Sequence, residues 1–122
     1  MAIIVADDEE AIREVVGRCL EEAGHTVSYA ATGDQVVKLL AKQHCDLVVA
    51  DVLMPNGDGL DVIFAVKRTY PDTRVLAISG GGKYMVAPEC LRIAKGVGAD
   101  AVLLKPFGRL QLLAATDTAM RA

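Results

Sequence analysis

Residues 2–30 read AIIVADDEEAIREVVGRCLEEAGHTVSYA, and the order of periods within this stretch decides the fold. Ala2–Ala6 is apolar on both faces, as a strand covered from two sides must be. Four acids follow, Asp7 to Glu10. From Ala11 to Ala23, Ile12, Val15, Val16, Cys19, Leu20 and Ala23 fall on one stripe of a 3.6-residue helix. Gly24 then stands where a left-handed residue ends a helix, and Thr26–Ala30 begins a second short apolar run. A helix of this length between two such runs is the crossover that parallel strands require.

The pattern repeats outward to the C-terminus. Leu47–Ala50, Val75–Ile78 and Ala101–Leu104 read as further strands. Helices are expected after Thr32 (carrying Val36, Val37, Leu40 and Ala41) and from Gly59 or Leu60 to Thr69 (carrying Ile63, Phe64 and Val66). Two more are expected near Pro88 to Val97 and from about Gly108 onward, the last with Leu110, Leu112 and Leu113. Five strand–helix units in strict alternation predict an α/β fold, (βα)5, with a doubly wound five-stranded parallel sheet. Right-handed crossovers leave the flavodoxin-like order 2-1-3-4-5 as the leading topology. With no repeat, linker or low-complexity segment, residues 1–122 are expected to be one domain with no attached effector domain.

Composition narrows the function. Of 122 residues, 52% are apolar and 24% charged, the balance of a chain that buries a core. The net charge of −3 disfavours contact with a phosphate backbone, so no nucleic-acid partner is expected. No apolar run approaches the roughly 20 residues of a membrane span. The acids after Ala6 invert the order of a secretory signal. Cys19, Cys45 and Cys90 are widely spaced and form no CxxC pair, which suits free thiols in a reducing compartment. A cytoplasmic protein is expected.

In a sheet of this kind ligands bind beyond the carboxyl ends of the strands. Those ends carry Asp7-Asp8, Asp51, Ser79 and Lys105. Clustered carboxylates raise one another's pKa unless a cation intervenes. A hard divalent ion held by carboxylate oxygens resolves the conflict, and Mg²⁺ fits best. The alternative reading has Asp7 and Asp8 capping the following helix, a role that one of them can combine with metal binding.

The same residues carry a resemblance to response-regulator receiver domains that runs from end to end. Val5-Ala6-Asp7-Asp8-Glu9 is similar to that family's acidic opening, and Asp51-Val52-Leu53-Met54-Pro55-Asn56-Gly57-Asp58-Gly59 resembles its phosphorylation loop. Ser79-Gly80 matches its hydroxyl-plus-small-residue step, and Lys105-Pro106-Phe107 its closing motif. The resemblance implies a phosphoryl switch of a two-component or phosphorelay system. Asp51 would attack a phosphohistidine presented by a histidine kinase or histidine phosphotransfer protein. Asp8, Asp51 and the Leu53 carbonyl would hold Mg²⁺, with Asp7 acting through water. Lys105 and Ser79 would bind the phosphoryl oxygens, and the Lys105–Pro106 bond is typically cis in the family. The chain would then catalyse only its own phosphorylation and dephosphorylation. It would pass its signal by contact with a downstream protein, as a monomer or weak dimer.

Rival chemistries lack residues that they need. A phosphatase with an aspartyl nucleophile, of the haloacid-dehalogenase-like kind, needs a second acid two places after the nucleophile, where Leu53 stands. Gly80–Lys83 lacks the spacing of a phosphate-binding P-loop. A flavin phosphate would be repelled by the acidic first loop.

The chain also departs from the family. Many receivers carry an aromatic three residues before the lysine, where this chain has Val102, and residues 80–87 are glycine-rich. The switch is therefore expected in Gly80, Gly81, Gly82 and Tyr84 rather than in a swinging ring. Leu53 and Gly81 flank the water's approach without a polar side chain, so self-dephosphorylation is expected to be slow. Gly59 is expected to take a positive φ, Phe107 to plug the core, and His25 and His44 to lie at the surface.

Overall fold

The computed structural model describes residues 1–52, 58–79 and 87–122, with the main chain alone at 58 and 87–91. Its elements are β1 (Ala2–Ala6), α1 (Glu10–Glu22), β2 (Thr26–Ala30), α2 (Gly33–Lys42), β3 (Leu47–Asp51), α3 (Asp58–Thr69), β4 (Arg74–Ser79), α4 (Ala87–Gly96), β5 (Ala101–Leu104) and α5 (Arg109–Arg121). The five strands form one parallel sheet in the order β2-β1-β3-β4-β5, as the alternation predicts.

Each central strand feeds two cores, because successive side chains point to opposite faces. Ile4, Ala6, Val48, Ala50, Val75 and Ala77 face α2, α3 and α4, with Val36, Leu40, Ile63, Val66 and Ala94. Ile3, Val5, Leu47, Val49, Leu76 and Ile78 face α1 and α5, with Val16, Leu20, Leu112 and Ala119. Burial on both sides is why these strands read as unbroken apolar runs.

The register aligns the strand ends. Ala6 pairs with Ala50, Asp51 with Ile78, and Ser79 with Leu104. β3 and β4 each run one residue beyond their expected ends, which draws Asp51 and Ser79 into the ladder. The residues after β1 and β5, Asp7 and Lys105, continue the same edge.

Local signals mostly act as read. Gly24 has φ +98°, and the bonds from His25 N–H to Leu20 O and from Gly24 N–H to Glu21 O close α1 with a Schellman motif. The Thr32 hydroxyl accepts from Gln35 N–H and caps α2.

Other expectations need correction. Gly59 lies inside α3 and is not among the positive-φ glycines, which among the described residues are Gly24 and Gly98. Its constraint is contact: a Cβ there would overlap the main-chain oxygens of Asp51 and Val52. Val15, assigned to the buried stripe of α1, is 67% exposed, and Leu110 is 81% exposed. The stripe of α1 is narrower than its composition suggests, because Val16 and Leu20 already fill the contact with the sheet. Phe107 packs partly buried against the α1/α5 core. His44 is exposed and bonded to Asp46, whereas His25 is half-buried, its Nδ1 3.2 Å from the terminal amine.

Candidate functional site

β1 delivers Asp7 into the crevice at the point where the sheet order reverses. Four bonds fix that residue. Its N–H donates to Ala30 O at 3.1 Å, and its carbonyl accepts from Arg13 Nη1 at 2.7 Å. Its carboxylate accepts from Glu9 N–H at 2.9 Å through Oδ1 and from Lys105 Nζ at 3.3 Å through Oδ2. Glu9, the cap residue of α1, makes no side-chain cap bond, and its own N–H is taken by the Asp7 carboxylate. The cap position belongs to Glu9 and not to Asp7 or Asp8, so the capping reading is corrected, and the Asp7 carboxylate supports the turn into α1 from two residues ahead.

β3 delivers Asp51, buried like Asp7, with Oδ2 2.8 Å from the same Lys105 ammonium. Asp8 is exposed. Carboxylate oxygens of Asp7, Asp8 and Asp51 all lie within 4.8 Å of one another. Ser79 is fully buried at the end of β4, and its carbonyl accepts from Lys105 N–H at 2.9 Å. The Lys105–Pro106 peptide is cis, as the resemblance implies.

Among the described residues, one ammonium is shared by two buried carboxylates, in a place of low polarity. Burial pushes the Asp7 carboxyl up to about 6, helped by the charge on Asp51 and opposed by the Glu9 N–H and by Lys105. Burial alone would lower the Lys105 ammonium, but the bonds and charges of Asp51 and Asp7 outweigh it and raise its pKa.

Among the described residues, the clustered donors at this edge are the carboxylate oxygens of Asp7, Asp8 and Asp51. They fit a hard divalent cation of the magnesium or calcium class, which takes oxygen ligands and keeps positions for water.

The fold thus brings Asp7, Asp8, Asp51 and Lys105 together and sets Ser79 at the same edge. Val102 is 37% exposed on β5. Leu53, Gly80, Gly81, Gly82 and Tyr84 lie outside the described residues, so the expectations placed on them stay as expectations. Sequence reasoning missed Arg13, whose guanidinium reaches back to Asp7. A cation one turn into a helix that opens with acids was the available signal. Among the described residues, no helix is long and apolar enough to cross a membrane.

Comparison with known proteins agrees with this geometry. The family model of the response regulator receiver domain matches residues 3–117. The DNA-binding transcriptional regulator NtrC of Azospirillum brasilense is 32% identical over 120 residues, which cover 98% of this chain and 24% of that protein. The chain thus spans about a quarter of that relative's length. Among solved structures, the receiver domain of NtrX from Brucella abortus superposes with a TM-score of 0.89 at 29% identity, covering 98% of both chains. A response regulator protein from Burkholderia pseudomallei, solved with a phosphorylated aspartic acid, calcium ion and citrate, gives 0.81 at 29% identity, covering 93% of this chain and 65% of that one. The family model matches nearly the whole chain, and this chain belongs to the response regulator receiver domain family.

Proposed function

We propose that the domain accepts a phosphoryl group onto Asp51 from a phosphohistidine, borne by a histidine kinase or histidine phosphotransfer protein, and thereby switches its contacts with a downstream protein. The observation that carries this reading is the buried Asp51 carboxylate, 2.8 Å from Lys105 Nζ, with the oxygens of Asp7 and Asp8 close enough to share one divalent ion. Asp7, Asp8 and Asp51, with the Leu53 carbonyl, are the proposed Mg²⁺ ligands. The calcium ion in the Burkholderia relative supports a divalent ion in such a site.

In the proposed step a carboxylate oxygen of Asp51 forms a bond to phosphorus as the nitrogen–phosphorus bond of the donor breaks. The electron pair of that bond leaves with the imidazole. Little covalent work falls to the protein in such a transfer, and positioning with charge stabilisation does most of it. When bound, Mg²⁺ supplies neutralising charge for the phosphoryl oxygens. Lys105 is held at the acceptor and would follow the same oxygens, and the Ser79 hydroxyl would donate to one of them. A cavity of about 220 Å³ is lined by Ile12, Val15, Val16, Pro106, Phe107 and Lys105, the residue whose ammonium bonds Asp51.

Incubation with acetyl phosphate and Mg²⁺, read by intact mass, tests the proposal. The protein should gain one phosphoryl group, and Asp51→Asn or a chelator should abolish the gain. Equal labelling of Asp51→Asn would overturn the assignment.

A further inference from the structure

Resting on that reading, we propose that Arg13 is a positioning residue for the metal site: its bond to the Asp7 carbonyl sets the peptide from which Asp8 departs. Arg13 Nη1 donates to Asp7 O at 2.7 Å across six residues, while its own N–H makes the opening helical bond to Glu9 O at 3.1 Å. The side chain thus folds back over the start of α1. That placement runs against the helix dipole, which disfavours a cation at an N-terminus. Helix stability does not explain the guanidinium, but the geometry of the turn does.

The Asp7 carbonyl and the Asp8 N–H share one rigid peptide plane. Asp7 is held at its N–H by Ala30, at its carboxylate by Glu9 and Lys105, and at its carbonyl by Arg13. The Glu9 bond closes a turn that spans ψ of Asp7 and so restrains that plane from the next residue on, while the bonds from Ala30 and Lys105 do not reach it. Among the described residues, the bond from Arg13 is the one made to an atom of the plane itself, and it helps to fix where the exposed Asp8 carboxylate leaves the chain relative to the other two acids. A group that orients a ligand without touching the ion typically contributes ten- to a hundredfold to its affinity.

Arg13→Met keeps the aliphatic stem and removes the donors, whereas Arg13→Lys restores one donor on a similar stem. Calorimetric titration of the unphosphorylated protein with Mg²⁺ should show binding weakened about tenfold in Arg13→Met and largely recovered in Arg13→Lys. The Mg²⁺ concentration for half-maximal labelling by acetyl phosphate should rise by the same factor, with the rate at saturating Mg²⁺ unchanged. Arg18→Met, on the exposed side of α1, should match wild type in both measurements. If Arg13→Met does not fold, Arg13→Gln, which keeps an amide donor on a shorter stem, carries the test with an intermediate loss expected. Wild-type Mg²⁺ affinity in Arg13→Met (or in Arg13→Gln where that variant stands in) would overturn the positioning role, as would an equal loss in Arg18→Met. Failure of the wild-type protein to bind Mg²⁺ would instead overturn the functional reading itself.

Discussion

Lys105 lies 2.8 Å from Asp51 and 3.3 Å from Asp7, so one ammonium faces two buried acids among the described residues. Burial, helped by the neighbouring charge of Asp51, raises the Asp7 carboxyl to about 6 from an ordinary 3.8. A folded-state pKa above the unfolded one contributes stability at low pH that is lost as pH climbs through the folded value. Without metal, Asp7 should therefore cost the fold up to about 3 kcal/mol between pH 4 and 7, at 1.36 kcal/mol per unit. Asp46 is lowered by its bonds to Ala2 N–H and His44 and works in the opposite sense, so the difference between variants isolates Asp7. In urea unfolding with a chelator, Asp7→Asn should gain on wild type over this range, and Mg²⁺ should narrow the gap. A gap constant with pH would show that Asp7 carries no such penalty. The acids themselves were legible in the sequence because each follows a strand end. Their unequal burial was not, since it depends on how the chain turns at the first residue after β1.

At the scale of elements, α3 meets the end of β3 through Gly59. The main-chain oxygens of Asp51 and Val52 occupy the space that a Cβ would need there. Backbone cannot give way as a flexible side chain can. Gly59→Ala should lose about 1–3 kcal/mol from overpacking, against a gain in helix propensity of at most about 1 kcal/mol. Because the clash falls on Asp51 itself, labelling by acetyl phosphate should drop along with the thermal midpoint. Unchanged stability and labelling would mean that α3 can shift off the strand without cost. The element types and their order were legible, since five apolar runs alternate with five helical periods. Which apolar residues stay outside was not. Val15, Val37 and Phe64 sit at helical spacing yet lie 67%, 47% and 54% exposed. Period alone cannot tell the centre of a stripe from its margin.

At the scale of the whole molecule, the site exists only when the sheet is complete. Lys105 meets Asp7 across 98 residues and Asp51 across 54, brought together by the order β2-β1-β3-β4-β5. Two cores, one on each face, hold that sheet rigid, so the acids, the ammonium and Ser79 keep their places along one edge. This convergence was legible in outline, because a doubly wound sheet gathers the carboxyl ends of its strands. The central claim is that one residue at this edge, Asp51, carries the phosphoryl group. Borohydride reduction of the labelled wild-type protein converts an aspartyl phosphate to homoserine, which peptide mass spectrometry then places in the chain. Homoserine at Asp51 alone is the predicted result, and homoserine at Asp7, Asp8 or any other acid would contradict the account.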